Sequence, residues 1–225
     1  MTEARKLEVV PAILRKTYED VVRDWNKVCR IVAHVQVDIT DGIFAGDGTF
    51  REISRFKQLE NSQKIELHMM VHQPARYVDD VIDLNPARCI FHLESFAGTG
   101  DLLSVYTTLR DKTQSELALA INPGSPSARL EEFLPWVDYV MFLAVDPGYS
   151  NQPFDQMVYQ RVGSFREQHA ALPIAVDGHV DKETIGPLAK AGATMLCANT
   201  AIFKEGDPLE NLTQLRLLAE SATIS

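Results

Sequence analysis

The chain has 225 residues, 45% of them apolar and 24% charged, the balance of an ordinary globular protein with enough apolar material for a sizeable core. Its 31 acidic side chains outnumber 22 basic ones for a formal net charge of −9. With no basic run anywhere, this argues against a nucleic-acid partner, whose phosphates are held by clustered Lys and Arg. The longest unbroken apolar stretch, Tyr139 to Val145, is far short of the about 20 residues a membrane-spanning helix needs. The first residues also lack a signal peptide's apolar core, so no membrane partner and a cytoplasmic location are expected. Cys29, Cys89 and Cys197 are odd in number and far apart in apolar or helical settings, which suits buried thiols in a reducing compartment.

Short runs rich in Val, Ile and Leu alternate along the chain with segments of helical period. Strands are expected at Leu7–Leu14, Ile31–Ile39, Lys64–Met70, Arg88–Leu93, Leu117–Ile121, Tyr139–Ala144, Pro173–Val176 and Met195–Ala198. Helices are expected at Tyr18–Cys29, Pro74–Asp83, Asp101–Lys112, Ser127–Phe133, Phe154–His169, Asp181–Ala191 and Pro208–Ala222. In the first helix Val21, Val22, Trp25 and Val28 recur every three or four residues, the mark of a buried face. Asp181 opens another as a start signal three residues ahead of Thr184. Eight strand-helix units of about 28 residues, with no linker between them, predict one domain spanning 1–225. They fit an α/β fold of the single (β/α)8 TIM barrel type. The first strand runs into Arg15-Lys16-Thr17 where a dinucleotide-binding sheet would carry a Gly-rich turn.

In such a barrel the reacting groups stand at the carboxyl ends of the strands. His34, Gln36, Asp38 and Thr40 alternate along the second strand and share one face. A strand covered on both sides should be nearly all aliphatic, so this face points to a wet mouth. Glu66, His68 and Met70 repeat the alternation on the third strand, as do His92 and Glu94 on the fourth. Asp177 ends the seventh, three strands round the ring from Asp38. Two carboxylates facing one pocket can act as base and acid in proton transfer. The segments 146–152, Gly178-His179 and Asn199-Thr200 follow strands six, seven and eight, where barrels of this kind usually hold phosphate on backbone amides.

Read together, Val10-Pro11-Ala12-Ile13-Leu14, Val37-Asp38-Ile39-Thr40-Asp41-Gly42, Glu66-Leu67-His68-Met69-Met70-Val71 and Phe91-His92-Leu93-Glu94 form one set of motifs. It continues with Ile121-Asn122-Pro123, Val145-Asp146-Pro147-Gly148, Val176-Asp177-Gly178 and Ala201-Ile202-Phe203. In order and spacing the sequence resembles the ribulose-phosphate 3-epimerase family over nearly its whole length. The resemblance implies a ribulose-phosphate-binding barrel, an isomerase that interconverts D-ribulose 5-phosphate and D-xylulose 5-phosphate at C3. It implies Asp38 and Asp177 as the catalytic pair and Asp38, His68 and Asp177 as ligands of a divalent metal (zinc, iron or manganese). It further implies Ala12, Gln36, Met70 and Leu143 around the substrate, Gly148, Gly178, His179, Asn199 and Thr200 at its phosphate, and a homo-oligomer.

The sequence departs from that pattern at several of these positions. Gln36 stands where the family has a metal-binding His, Ala12 where it usually has Ser, and Thr40 and Leu143 where it has Met. A carboxamide is a poorer ligand than imidazole for a zinc-like ion, so weakened metal binding is expected. Two alternatives stay open: a non-catalytic sugar-phosphate-binding barrel, and a different reaction on a related ketose phosphate.

Overall fold

The computed structural model describes residues 7–147 and 153–223. Eight parallel strands close into a barrel in chain order: β1 (Glu8–Ile13), β2 (Val35–Thr40), β3 (Ile65–Met70), β4 (Arg88–His92), β5 (Glu116–Ile121), β6 (Tyr139–Leu143), β7 (Ile174–Asp177) and β8 (Met195–Ala198). The α-helices around it are α1 (Tyr18–Val28), α2 (Val78–Leu84), α3 (Thr99–Lys112), α4 (Met157–Gln168), α5 (Ile185–Ala191), α6 (Thr200–Phe203) and α7 (Pro208–Thr223). This is a (β/α)8 TIM barrel. No helix of the described residues is long and apolar enough to cross a membrane.

Local chemistry explains most boundaries. Thr17, extended at φ −123°, caps α1 by accepting the Asp20 N–H on its hydroxyl, with Glu19 and Asp20 in the first turn, where carboxylates complement the helix dipole. Val21, Trp25 and Val28 face the core, and the buried Trp25 ring satisfies its N–H on the Glu60 carbonyl at 2.8 Å. Where expected elements differ, turn chemistry is the reason. β2 starts at Val35, because Ile31 is spent closing a turn onto the Val28 carbonyl and is left 47% exposed. The segment from Pro74 begins as a 3₁₀ turn, Pro74–Tyr77, ahead of α2. Ser127–Trp136 is a 3₁₀ helix throughout, as suits a segment whose Pro135 cannot donate to a carbonyl four residues back. Asp155 takes the Met157 N–H on its side chain and delays α4. Asp181 accepts the N–H groups of Glu183 and Thr184 in a turn one step ahead of α5.

Outward-facing strand residues pack under the helices in the main core, and an apolar set from β1 and β5–β8 with Ile90 of β4, including Val10, Ala120, Met141 and Ala175, fills one side of the interior. The other side, from β2, β3 and β4, is polar: Gln36, Asp38, Glu66, His68, Arg88 and His92 are all buried. The three cysteines are buried free thiols.

Candidate active site

The polar side divides by height into a charged floor and a mouth at the carboxyl ends of the strands. At the floor Arg88 reaches Glu8 at 3.1 Å, Glu66 at 3.2 Å and Glu116 at 2.8 Å, while the Tyr139 hydroxyl donates to Glu66 at 3.3 Å. Burial pushes Glu66 up despite the opposing guanidinium. His34 belongs to this end: it stands one residue before β2, further from the mouth than Gln36, and binds Glu8 at 2.7 Å.

At the mouth, parallel pairing sets Asp38 opposite His68, and Asp177 arrives from β7, which reaches β2 through β8 and β1. The Nδ1 atom of His68 lies 3.1 Å from Asp38 Oδ1 and 3.1 Å from Asp177 Oδ2. Gln36 Nε2 donates to the same two atoms at 2.7 and 2.9 Å, and stands 3.3 Å from His68 Nδ1. Burial opposes charge on His68, but the hydrogen bonds and charges of Asp177 and Asp38 outweigh it and raise its pKa to about 10. Burial raises the Asp38 pKa, the neighbouring Asp177 charge adds to it, and His68 and Gln36 pull it down, leaving it above the usual carboxylate value.

The candidate ligand atoms of Asp38, His68 and Asp177 lie within 4.8 Å of one another, a mixed N/O donor set that could hold a divalent ion. It is the Gln36 amide nitrogen, not its oxygen, that faces these three ligand atoms, and Oε1 is fully buried with no hydrogen-bond partner among the described residues. The Thr40 hydroxyl, 1% exposed at the last inward position of β2, is likewise without one.

Ala12, Met70 and Leu143 line the interior at the carboxyl ends of β1, β3 and β6 and are buried. Gly178 has φ +99°, and a Cβ on it would stand 2.6 Å from the Val145 side chain, so only glycine lets the β7 and β6 ends meet so closely. His179, also left-handed at φ 53°, is exposed, with its ring 3.3 Å from Asp181 and edge-on to Phe154. Asn199 and Thr200 form the start of α6. Gly148 lies outside the described residues.

His92 is bound more closely into the site than its place on the fourth strand implied. Its Nε2 is 2.9 Å from His68 Nε2, its Nδ1 is 2.8 Å from Asn122 Oδ1, and the Phe44 ring covers it at 5.1 Å. The signal for Asn122 was a lone polar residue at the carboxyl end of an otherwise apolar strand.

A sequence model described as the Ribulose-phosphate 3 epimerase family matches residues 8–203. A protein named ribulose-phosphate 3-epimerase from Candida glabrata is 28% identical, the match covering 92% of this chain and 90% of that one. The cytoplasmic isoform of ribulose-phosphate 3-epimerase from Oryza sativa is 24% identical over 99% of this chain and 98% of its own. Among solved structures, 3-hexulose-6-phosphate synthase from Salmonella typhimurium superposes with a TM-score of 0.68 at 12% identity, covering 96% of this chain and 100% of that one. Orotidine 5'-monophosphate decarboxylase from Sulfolobus solfataricus gives 0.66 at 13%, covering 96% and 99%. At such identities these two structures speak for the fold. Because the family match runs from the first strand to the helix that follows the eighth, the chain belongs to the ribulose-phosphate 3-epimerase family.

Proposed function

We propose that this protein epimerises a ketopentose 5-phosphate at C3, interconverting D-ribulose 5-phosphate and D-xylulose 5-phosphate, with Asp38 and Asp177 as the proton-transferring pair. The observation that supports this reading is the convergence of those two carboxylates, from strands three positions apart, on one imidazole and one carboxamide. A proton beside a carbonyl is removed by a base and returned by an acid, and both work best with a pKa drawn toward the working pH. The upward shift of Asp38 is in that direction.

Asp38, His68 and Asp177 would hold zinc, iron or manganese. When bound, such an ion supplies Lewis-acid stabilisation of the negative charge that develops on the substrate oxygens. Gln36, Ala12, Met70 and Leu143 would enclose the sugar and exclude water from the exposed carbanion. Gly178, His179, Asn199 and Thr200, with Gly148, would receive the phosphate at the loops after the sixth, seventh and eighth strands. A homo-oligomer is carried over from the family resemblance and is tested by sedimentation.

Incubation with D-ribulose 5-phosphate in deuterated water, with added zinc, manganese or iron, is expected to wash deuterium into C3. Asp38→Asn and Asp177→Asn are each expected to slow the exchange by about 10²–10⁴-fold, the usual worth of a positioned acid or base. Absence of exchange with any pentulose or hexulose phosphate, together with tight sugar-phosphate binding indifferent to both substitutions, would replace this reading with that of a binding barrel.

A further inference from the structure

A string of hydrogen bonds crosses three adjacent strands behind the candidate site. His68 on β3 meets His92 on β4 through their Nε2 atoms at 2.9 Å, and His92 Nδ1 meets the Asn122 side chain after β5 at 2.8 Å. Both rings are fully buried. Asn122 is itself held: its N–H donates to Glu94 at 3.0 Å, and Arg161 donates to its carbonyl at 2.8 Å. Phe44 lies against the His92 ring with ring centres 5.1 Å apart.

An N···N contact at this distance needs one donor and one acceptor. Two carboxylate oxygens stand 3.1 Å from His68 Nδ1. Two carboxylates around one imidazole nitrogen favour the doubly protonated, charged ring over the neutral one, and in that form Nε2 carries a hydrogen as well. If Nδ1 instead gives its lone pair to a cation, the ring's single hydrogen must again be on Nε2. In both cases His68 donates and His92 accepts. His92 must then keep its own hydrogen on Nδ1, and Asn122 must present its oxygen.

We infer that His92 and Asn122 are positioning residues: they bind the Nε2 hydrogen of His68, and so commit its Nδ1 to the point where Asp38 and Asp177 converge. The inference rests on the reading of His68 as a site residue, but its first test does not depend on turnover. In ¹⁵N-labelled protein, His92 is expected to show a protonated Nδ1 and an unprotonated Nε2, with a scalar coupling to His68 Nε2 across the hydrogen bond. Asn122→Leu, which removes the acceptor of the His92 Nδ1 hydrogen, is expected to shift that nitrogen's resonance and weaken the coupling. A protonated Nε2 on His92 in the wild-type protein, or a pattern unchanged in Asn122→Leu, would overturn the inference.

The second test is calorimetric titration with Zn²⁺ and Mn²⁺. His92→Phe should weaken binding about 10–100-fold, the usual worth of an outer partner of a ligating His. His92→Gln, which restores an acceptor, should recover most of that loss, whereas loss of packing alone would not be recovered. Equal affinity in all three proteins would overturn the inference. If wild-type protein binds neither ion, the metal part of the proposed function fails, and the ¹⁵N pattern still decides the role of His92.

Discussion

Gln36 carries the clearest consequence of a single residue. Its amide hydrogens face the two carboxylates at 2.7 and 2.9 Å while its oxygen is buried without a partner. A cation arriving between Asp38, His68 and Asp177 must displace those hydrogens before the oxygen can serve it. Gln36→His supplies an imidazole with no such competition, so zinc affinity measured by calorimetry is expected to rise by at least the about tenfold that even an outer partner is worth. An unchanged or lower affinity would show that the carboxamide is no obstacle. The residue type at 36 was legible in the sequence, and so was its weakness as a ligand. That its nitrogen would bridge both carboxylates was not, because Asp177 lies 141 residues away and reaches Gln36 only once the barrel closes.

At the scale of elements, the turn after β7 is the most constrained. Gly178 takes φ +99° and would bring a Cβ to 2.6 Å from the Val145 side chain and 3.1 Å from its backbone nitrogen. Its N–H also donates to the adjacent Asp177 carboxylate at 2.7 Å. Gly178→Ala is therefore expected to destabilise the fold by about 1–3 kcal/mol, read from denaturant unfolding, and to lower deuterium exchange at C3 because Asp177 moves with the turn. A variant as stable and active as wild type would mean that the loop relaxes freely. Strands were legible to within a residue or two at most ends, since apolar runs between turn signals mark them directly. Helix starts were less so. Asp155 and Asp181 each form a side-chain turn before the helix, and sequence spacing does not distinguish such a turn from a helix cap.

Across the whole molecule, the charged floor ties β1, β3, β4 and β5 together through Arg88. Arg88→Met leaves the buried Glu66 without its cation and Glu8 with His34 alone, and is expected to cost about 3–5 kcal/mol of stability. A second change, Glu66→Gln, should return part of it in chemical denaturation. Burial works against ionisation of Glu8, but His34 and Arg88 outweigh it and hold its pKa below the ordinary 4.5. A depressed carboxylate stabilises the fold above its unfolded pKa, and that contribution is lost as pH falls through the lowered folded value. Stability should therefore drop below about pH 4.5, with a shallower acid limb in Glu8→Gln; identical acid limbs would remove Glu8 from the account.

The sequence by itself determined the eightfold alternation, the closed parallel barrel that follows from it and the inward direction of Asp38, His68 and Asp177, because a strand's period of two and a helix's period of 3.6 are local properties of the chain. Only the tertiary structure decided the height of each inward residue and its partners. Glu66 and His68 share a face two residues apart, yet one is part of the floor with Arg88 and the other of the mouth with His92. Periodicity assigns a side chain to a face but not to a layer. The layer depends on the stagger between neighbouring strands, which is set by packing and closure across residues far apart in the chain.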